Sequence, residues 1–114
     1  MPEELPEELT PERVAELHAA GQIELVDIRE PYEREAGHVA GSKHVEFAQL
    51  SQEAGSLDRE QPLVLYCRMG GRSSVALQAF KASGFDVHHM AGGLLAWADK
   101  GLSLEPEGGS VADH

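Results

Sequence analysis

Cysteine is almost absent: Cys67 stands alone in 114 residues. No intrachain disulfide can form, and no second thiol can resolve an oxidised first one. Four-cysteine zinc sites and Cys-x-x-Cys redox chemistry are excluded by the same count. Any group that Cys67 accepts must leave for an outside acceptor. Basic residues are also few. Nine Lys and Arg face twenty Asp and Glu, a formal net charge of −11. Nucleic acid is therefore not an expected partner, because phosphate contacts need clustered cations. Long apolar runs are missing, and none approaches the ~20 residues of a membrane-spanning helix. The start, Met1-Pro2-Glu3-Glu4, has neither the basic head nor the apolar core of a secretory signal. The expected location is the cytoplasm, with no membrane partner.

The acidity does not exclude an anionic substrate. Exposed charges are screened beyond ~8 Å at physiological salt, and a local nest of backbone N–H groups still attracts a small anion. A hydrophobic fraction of 41% supports a packed core, and the length fits one domain.

Turn residues and apolar spacing divide the chain. Residues 1–8 are polar, with Pro2 and Pro6, and read as an N-terminal arm. Thr10-Pro11 reads as a helix start, with Thr10 as N-cap and Pro11 at the first helical position. Val14 and Leu17 share a face of that helix, and Gly21 ends it. Glu24 to Ile28 reads as a short strand. Arg29 to Ser42 is charged and rich in turn residues, so a loop with at most a helical turn is expected. A short strand from Lys43 to Phe47 and a weak helix from Phe47 to Ala54 follow. Leu63 to Tyr66 is a continuous apolar strand, as expected when both sheet faces are covered. Arg72 to Ser83 has helical spacing, Phe85 to His89 reads as a strand, and Gly92-Gly93 opens a last helix through Trp97. Residues 103–114, with Pro106, Gly108 and Gly109, read as a flexible tail. The domain itself is expected over 9–102. Alternating strands and helices predict an α/β fold with a mostly parallel sheet between two helical layers. Sites in such folds lie beyond the carboxyl ends of the strands. Cys67 and the Asp27-Ile28-Arg29 segment both fall at such ends.

Cys67 ends the apolar strand and opens the loop Arg68-Met69-Gly70-Gly71-Arg72-Ser73. Two glycines allow positive φ and close backbone approach. The helix that follows adds free N–H groups and the positive end of its dipole. Two arginines add charge. Such a setting favours a thiolate, which is the nucleophilic form of cysteine. It equally suits a persulfide or a bound oxyanion.

The segment Cys67-Arg68-Met69-Gly70-Gly71-Arg72-Ser73 resembles the active-site loop of the rhodanese family. Two further segments match in family order. Leu25-Val26-Asp27-Ile28-Arg29-Glu30-Pro31-Tyr32-Glu33, running on to Gly37-His38-Val39-Ala40-Gly41-Ser42, is similar to the upstream signature. Met90-Ala91-Gly92-Gly93-Leu94-Leu95-Ala96-Trp97 is similar to the downstream one. The resemblance spans about residues 9–100. It implies a single rhodanese-like three-layer domain and a sulfurtransferase of the thiosulfate type. Cys67 is then the nucleophile that carries a persulfide, with no cofactor. Arg68 and Arg72 are placed for the sulfonate of a thiosulfate-like donor. The backbone from Arg68 through Met69, Gly70, Gly71 and Arg72 to Ser73 cradles the sulfur. Asp27 and Arg29 support the site as a charge pair. A thiol, cyanide or a protein accepts the sulfur.

Within the same fold, phosphatases and arsenate reductases carry five residues between Cys and Arg. Here there are four, Arg68 to Gly71, and the smaller cradle favours sulfur transfer. A persulfide carrier that depends on a partner protein is the alternative of a different class. The six histidines suggest no metal site. His88 and His89 are neighbours in a strand and point to opposite faces. His38 reads as structural, Trp97 as core, and Glu30, Glu33 and Glu35 as a solvated face.

Overall fold

The computed structural model describes residues 5–53, 55, 60–106 and 109–112. Its strands are β1 (Glu8–Leu9), β2 (Glu24–Asp27), β3 (Lys43–His44), β4 (Leu63–Tyr66) and β5 (Val87–Met90). Its helices are α1 (Pro11–Ala19), α2 (Pro31–Ala36), α3 (Leu50–Glu53), α4 (Gly71–Ala82) and α5 (Gly93–Asp99), with a 3₁₀ turn at Phe47–Gln49. The strands form one sheet in the order β1-β5-β4-β2-β3, and each neighbouring pair is parallel.

Alternation along β4 builds both halves of the core. Leu63 and Leu65 face one side, where they meet Ala76, Leu77 and Phe80 of α4. Val64 and Tyr66 face the other, with Val14 and Leu17 of α1 and Leu94 and Trp97 of α5. A central strand buried on both faces explains the unbroken apolar run. The chain leaves β2 toward one edge of the sheet and leaves β4 toward the other. A crevice opens between the carboxyl ends of strands whose connections diverge in this way. Asp27 and Tyr66 are register partners there, and Cys67 follows directly.

Thr10 caps α1 as its type predicts, its Oγ1 accepting the Arg13 N–H at 3.2 Å. Three segments differ from the sequence expectation. The expected loop contains α2, with Pro31 in its first turn and the Glu30 N–H donating to Glu33 Oε1 at 3.0 Å. The expected arm, of which residues 1–4 lie outside the described set, supplies β1 at its end. Leu9 is buried there, and the Glu7 carbonyl accepts the His89 N–H at 2.8 Å. Described residues of the segment expected as a flexible tail pack back on the domain. Glu105 and His38 form an antiparallel bridge, Ser103 O accepts the Trp97 indole N–H at 3.0 Å, and Leu104 and Val111 lie against the core. Gly37 makes this docking possible, because a Cβ there would lie 2.4 Å from Ser110 O. Ala54, Glu107, Gly108, Asp113 and His114, which those expectations also covered, lie outside the described residues.

Candidate active site

Cys67 emerges at the end of the middle strand and is 1% exposed. Its sulfur accepts the Gly70 N–H at 3.0 Å, a bond that strengthens when the sulfur is ionised. Gly70 reaches this position with φ of 109° and serves as the N-cap of α4. The first turn of a helix leaves its N–H groups without intrahelical partners, and the positive dipole end lies there. The mouth is an open pocket of about 220 Å³ lined by Cys67, Arg68, Met69, Gly71 and Arg72. A larger groove of about 310 Å³ lies between Phe47, Leu50 and the Val75–Ser83 flank of α4. It is lined by apolar side chains and Ser83 and holds no titratable group, so the chemistry belongs to the smaller pocket.

The loop is clamped from behind. Leu94 N–H donates to Cys67 O at 2.8 Å, and Leu95 N–H donates to Arg68 O at 3.0 Å. The helix α5 thus spends its first free donors on the Cys67 loop. Gly93 permits the approach: its φ is +61°, and a Cβ there would lie 2.5 Å from both carbonyl oxygens. Gly93→Ala is expected to cost about 2–3 kcal/mol, combining a left-handed alanine with a backbone clash. Denaturant unfolding measures it, and an unchanged midpoint would contradict this role for Gly93.

Asp27 and Arg29 form the pair expected of them. Both side chains are wholly buried. Arg29 Nε and Nη2 donate to the two Asp27 oxygens at 2.8 Å each, and Nη2 also reaches Gly37 O at 2.8 Å. Burial works against the Arg29 charge, but hydrogen bonding to Asp27 and its negative charge outweigh it and raise the pKa. Arg29 Nη1 has no hydrogen-bond partner among the described residues; the guanidinium lies over the Tyr66 ring at 5.6 Å. Tyr66 is pushed up to about 12 by its own burial and by the Asp27 charge. Its hydroxyl accepts the Val39 N–H at 3.1 Å and bonds Ser42 Oγ at 2.9 Å. The pair therefore ties the segment after β2 to the strand that carries Cys67.

The two arginines of the loop are engaged within the chain. Arg72 makes a two-pronged bond to Glu33, Nη1 to Oε1 at 2.8 Å and Nη2 to Oε2 at 3.0 Å. Arg68 Nε donates to Ala112 O at 3.0 Å. Arg72 still lines the mouth, and its pKa is raised first by the Glu33 hydrogen bonds, with the charges of Glu33 and Cys67 adding to them. Glu33, read from sequence as part of a solvated face, is instead 0% exposed. Pro31 in the first turn with Glu33 two positions on was a legible helix-start signal. The burial of Glu33 was not legible, because it depends on a partner 39 positions away.

Burial pushes the Glu33 carboxyl up. The Arg72 hydrogen bonds, the Glu30 N–H and the charges of Arg72 and Arg29 overcome this and hold it below the usual carboxylate range. The sign follows. Stability from the pair is complete above the unfolded carboxyl value of about 4.3 and is lost as pH falls through the depressed folded value. The stability difference between the wild type and Glu33→Gln is expected to shrink over that acid window. Urea unfolding across a pH series checks it; a difference independent of pH would contradict the charge pairing.

Ser73 and His89 complete the surroundings. Ser73 Oγ lies 3.6 Å from Cys67 Sγ and 3.0 Å from His89 Nδ1. Sequence reading considered His89 only as a metal ligand. Among the described residues no cluster of three metal-ligating side chains occurs.

Comparison with known proteins finds similarity in family profile, in sequence and in fold. The rhodanese-like domain profile matches residues 10–100. A Bacillus subtilis protein of uncharacterised function, YqhL, is 33% identical over 80 residues, covering 69% of this chain and 64% of its own length. The thiosulfate sulfurtransferase GlpE of Pseudomonas aeruginosa is 34% identical over 90 residues, covering 78% of this chain and 81% of its own. A rhodanese-related protein from Thermoplasma volcanium superposes with a TM-score of 0.83 at 22% identity, covering 90% of this chain and all of that one. The last similarity concerns the fold alone.

Proposed function

This chain belongs to the rhodanese-like domain family, and from that membership we propose that it is a cytoplasmic sulfurtransferase working through a Cys67 persulfide. The thiolate attacks the outer sulfur of a thiosulfate-like donor. The donor's S–S bond breaks, and sulfite departs with the bonding pair. Cys67 then holds the sulfane sulfur until a thiol or cyanide attacks it and restores the thiolate. The Gly70 N–H at 3.0 Å from Sγ carries this reading, since it marks a cradle that stabilises negative sulfur at the mouth of an open pocket. Donor recognition rests on the N-terminal turn of α4, on Arg68 and on the part of the Arg72 charge that faces Cys67.

Covalent transfer in two halves predicts ping-pong kinetics. Initial rates with thiosulfate and cyanide are expected to give parallel double-reciprocal lines. Intersecting lines would remove the free persulfide intermediate.

A second reading is favoured by one observation. The Arg72 fork is occupied by Glu33, which weakens its pull on a small dianion. A carrier loaded by a partner protein needs no such pull. A persulfide that forms without useful turnover favours the carrier.

A further inference from the structure

The sulfur chemistry above makes no use of His89, a buried titratable residue. His89 lies in β5, the strand beside the one that delivers Cys67. Its Nδ1 is 3.0 Å from Ser73 Oγ, and that oxygen is 3.6 Å from Cys67 Sγ. On its other side Nε2 is 3.4 Å from Glu8 Oε2. A continuous line therefore runs from the sulfur through α4 and β5 to the exposed edge strand β1.

Hydrogen-bond capacity restricts the states this line accepts. Glu8 accepts only, so it favours a proton on Nε2. With neutral His89, Nδ1 is then an acceptor and takes the Ser73 hydroxyl proton. Ser73 Oγ can accept from a Cys67 thiol in that state. A thiolate would instead face the Ser73 lone pairs. With protonated His89, Nδ1 donates to Ser73 Oγ, and the hydroxyl proton is free to point at the thiolate. The Gly70 carbonyl, 3.2 Å from Ser73 Oγ, is the remaining acceptor, and a charged sulfur outcompetes it. Thiolate is thus matched by imidazolium, and by neutral imidazole only in the tautomer that gives up the Glu8 contact.

Resting on the persulfide reading of Cys67, we infer that His89 takes up the Cys67 proton through Ser73 and so holds the nucleophile in its reactive form. The S–H bond breaks as its proton passes to Ser73 Oγ. The Ser73 hydroxyl proton passes to His89 Nδ1, and the electron pair stays on sulfur. Net charge is unchanged, and nothing is oxidised or reduced. His89 does not touch the sulfur and acts through Ser73, so it is a positioning residue. The other charged groups around it are accounted for. Glu7 is paired with Lys81 of α4. His88 bonds Pro6 O at 2.6 Å and Asp86 at 2.8 Å. Arg72 faces Cys67 and Glu33.

The test is the pH profile of Cys67 alkylation by iodoacetamide, which needs no sulfur donor. In His89→Asn, which keeps a polar group near Nδ1 but does not titrate, alkylation near pH 7 is expected to slow on the order of tenfold, a one-unit displacement of the profile. The rates converge at high pH, where the thiolate forms unaided. Ser73→Ala is expected to give the same displacement, and the double variant no more than either. Superimposable profiles for the wild type and His89→Asn overturn the relay. If His89→Asn fails to fold, Ser73→Ala carries the test in the same assay, and a profile superimposable on the wild type overturns the relay. A wild type that forms no persulfide but shows the displaced profile in His89→Asn removes the proposed function and leaves the relay standing.

Discussion

Asp27→Asn is expected to destabilise the fold by about 3–5 kcal/mol, the cost of breaking a buried ion pair from one side. The reason is asymmetry. Exchanging both partners for well-packed apolar groups is often neutral, but removing one leaves the other charged and dry. Arg29 is wholly buried and has no route to water. Asparagine keeps one acceptor oxygen but replaces the other with an amide that faces the Arg29 Nη2. Arg34, whose Nη1 lies 3.3 Å from Asp27 Oδ2, loses the same oxygen. The damage extends to the site, because Arg29 holds Gly37 and lies over Tyr66, and Tyr66 precedes Cys67. Guanidinium unfolding gives the value. A loss below about 1 kcal/mol, the ceiling for exposed pairs, would contradict the burial argument.

Cys67→Ser is expected to abolish sulfur transfer while leaving unfolding nearly unchanged. A serine hydroxyl is a poor nucleophile without a strong base, and it cannot hold a persulfide. The exchange is close to isosteric, and serine oxygen can still accept the Gly70 N–H and bond Ser73. Rates with thiosulfate and cyanide should fall at least about 10³-fold, in line with loss of a covalent nucleophile. Residual transfer near the wild-type rate would displace Cys67 from the mechanism.

Much of this was legible in the residues. The apolar run Leu63–Tyr66 is β4 to the residue, because both of its faces are covered and no polar alternation blurs its ends. Thr10, Pro11 and Gly21 bracket α1 because caps and breakers act locally. The turn at Cys67 was legible through glycines and arginines within six positions, and Gly70 takes the positive φ such a turn needs. What escaped reading depends on distant partners. The helix α2 has no apolar stripe; its inward residue is Glu33, made buriable by Arg72. Apolar periodicity cannot register a face closed by an ion pair. The strand β1 is two residues long and exists through pairing with β5. The tail reads as polar, yet Leu104 and Val111 dock it on the α1–α5 side of the sheet. Arg68 and Arg72, for which the family resemblance implies a sulfonate role, have internal partners in Ala112 and Glu33 that no loop motif announces.

The central claim is that Cys67 carries sulfur. Intact-protein mass spectrometry after incubation with thiosulfate tests it most directly. A gain of about 32 Da, one sulfur atom, is expected on Cys67, to be removed by cyanide and absent in Cys67→Ser. An unchanged mass with thiosulfate and with every other sulfane donor would contradict the account.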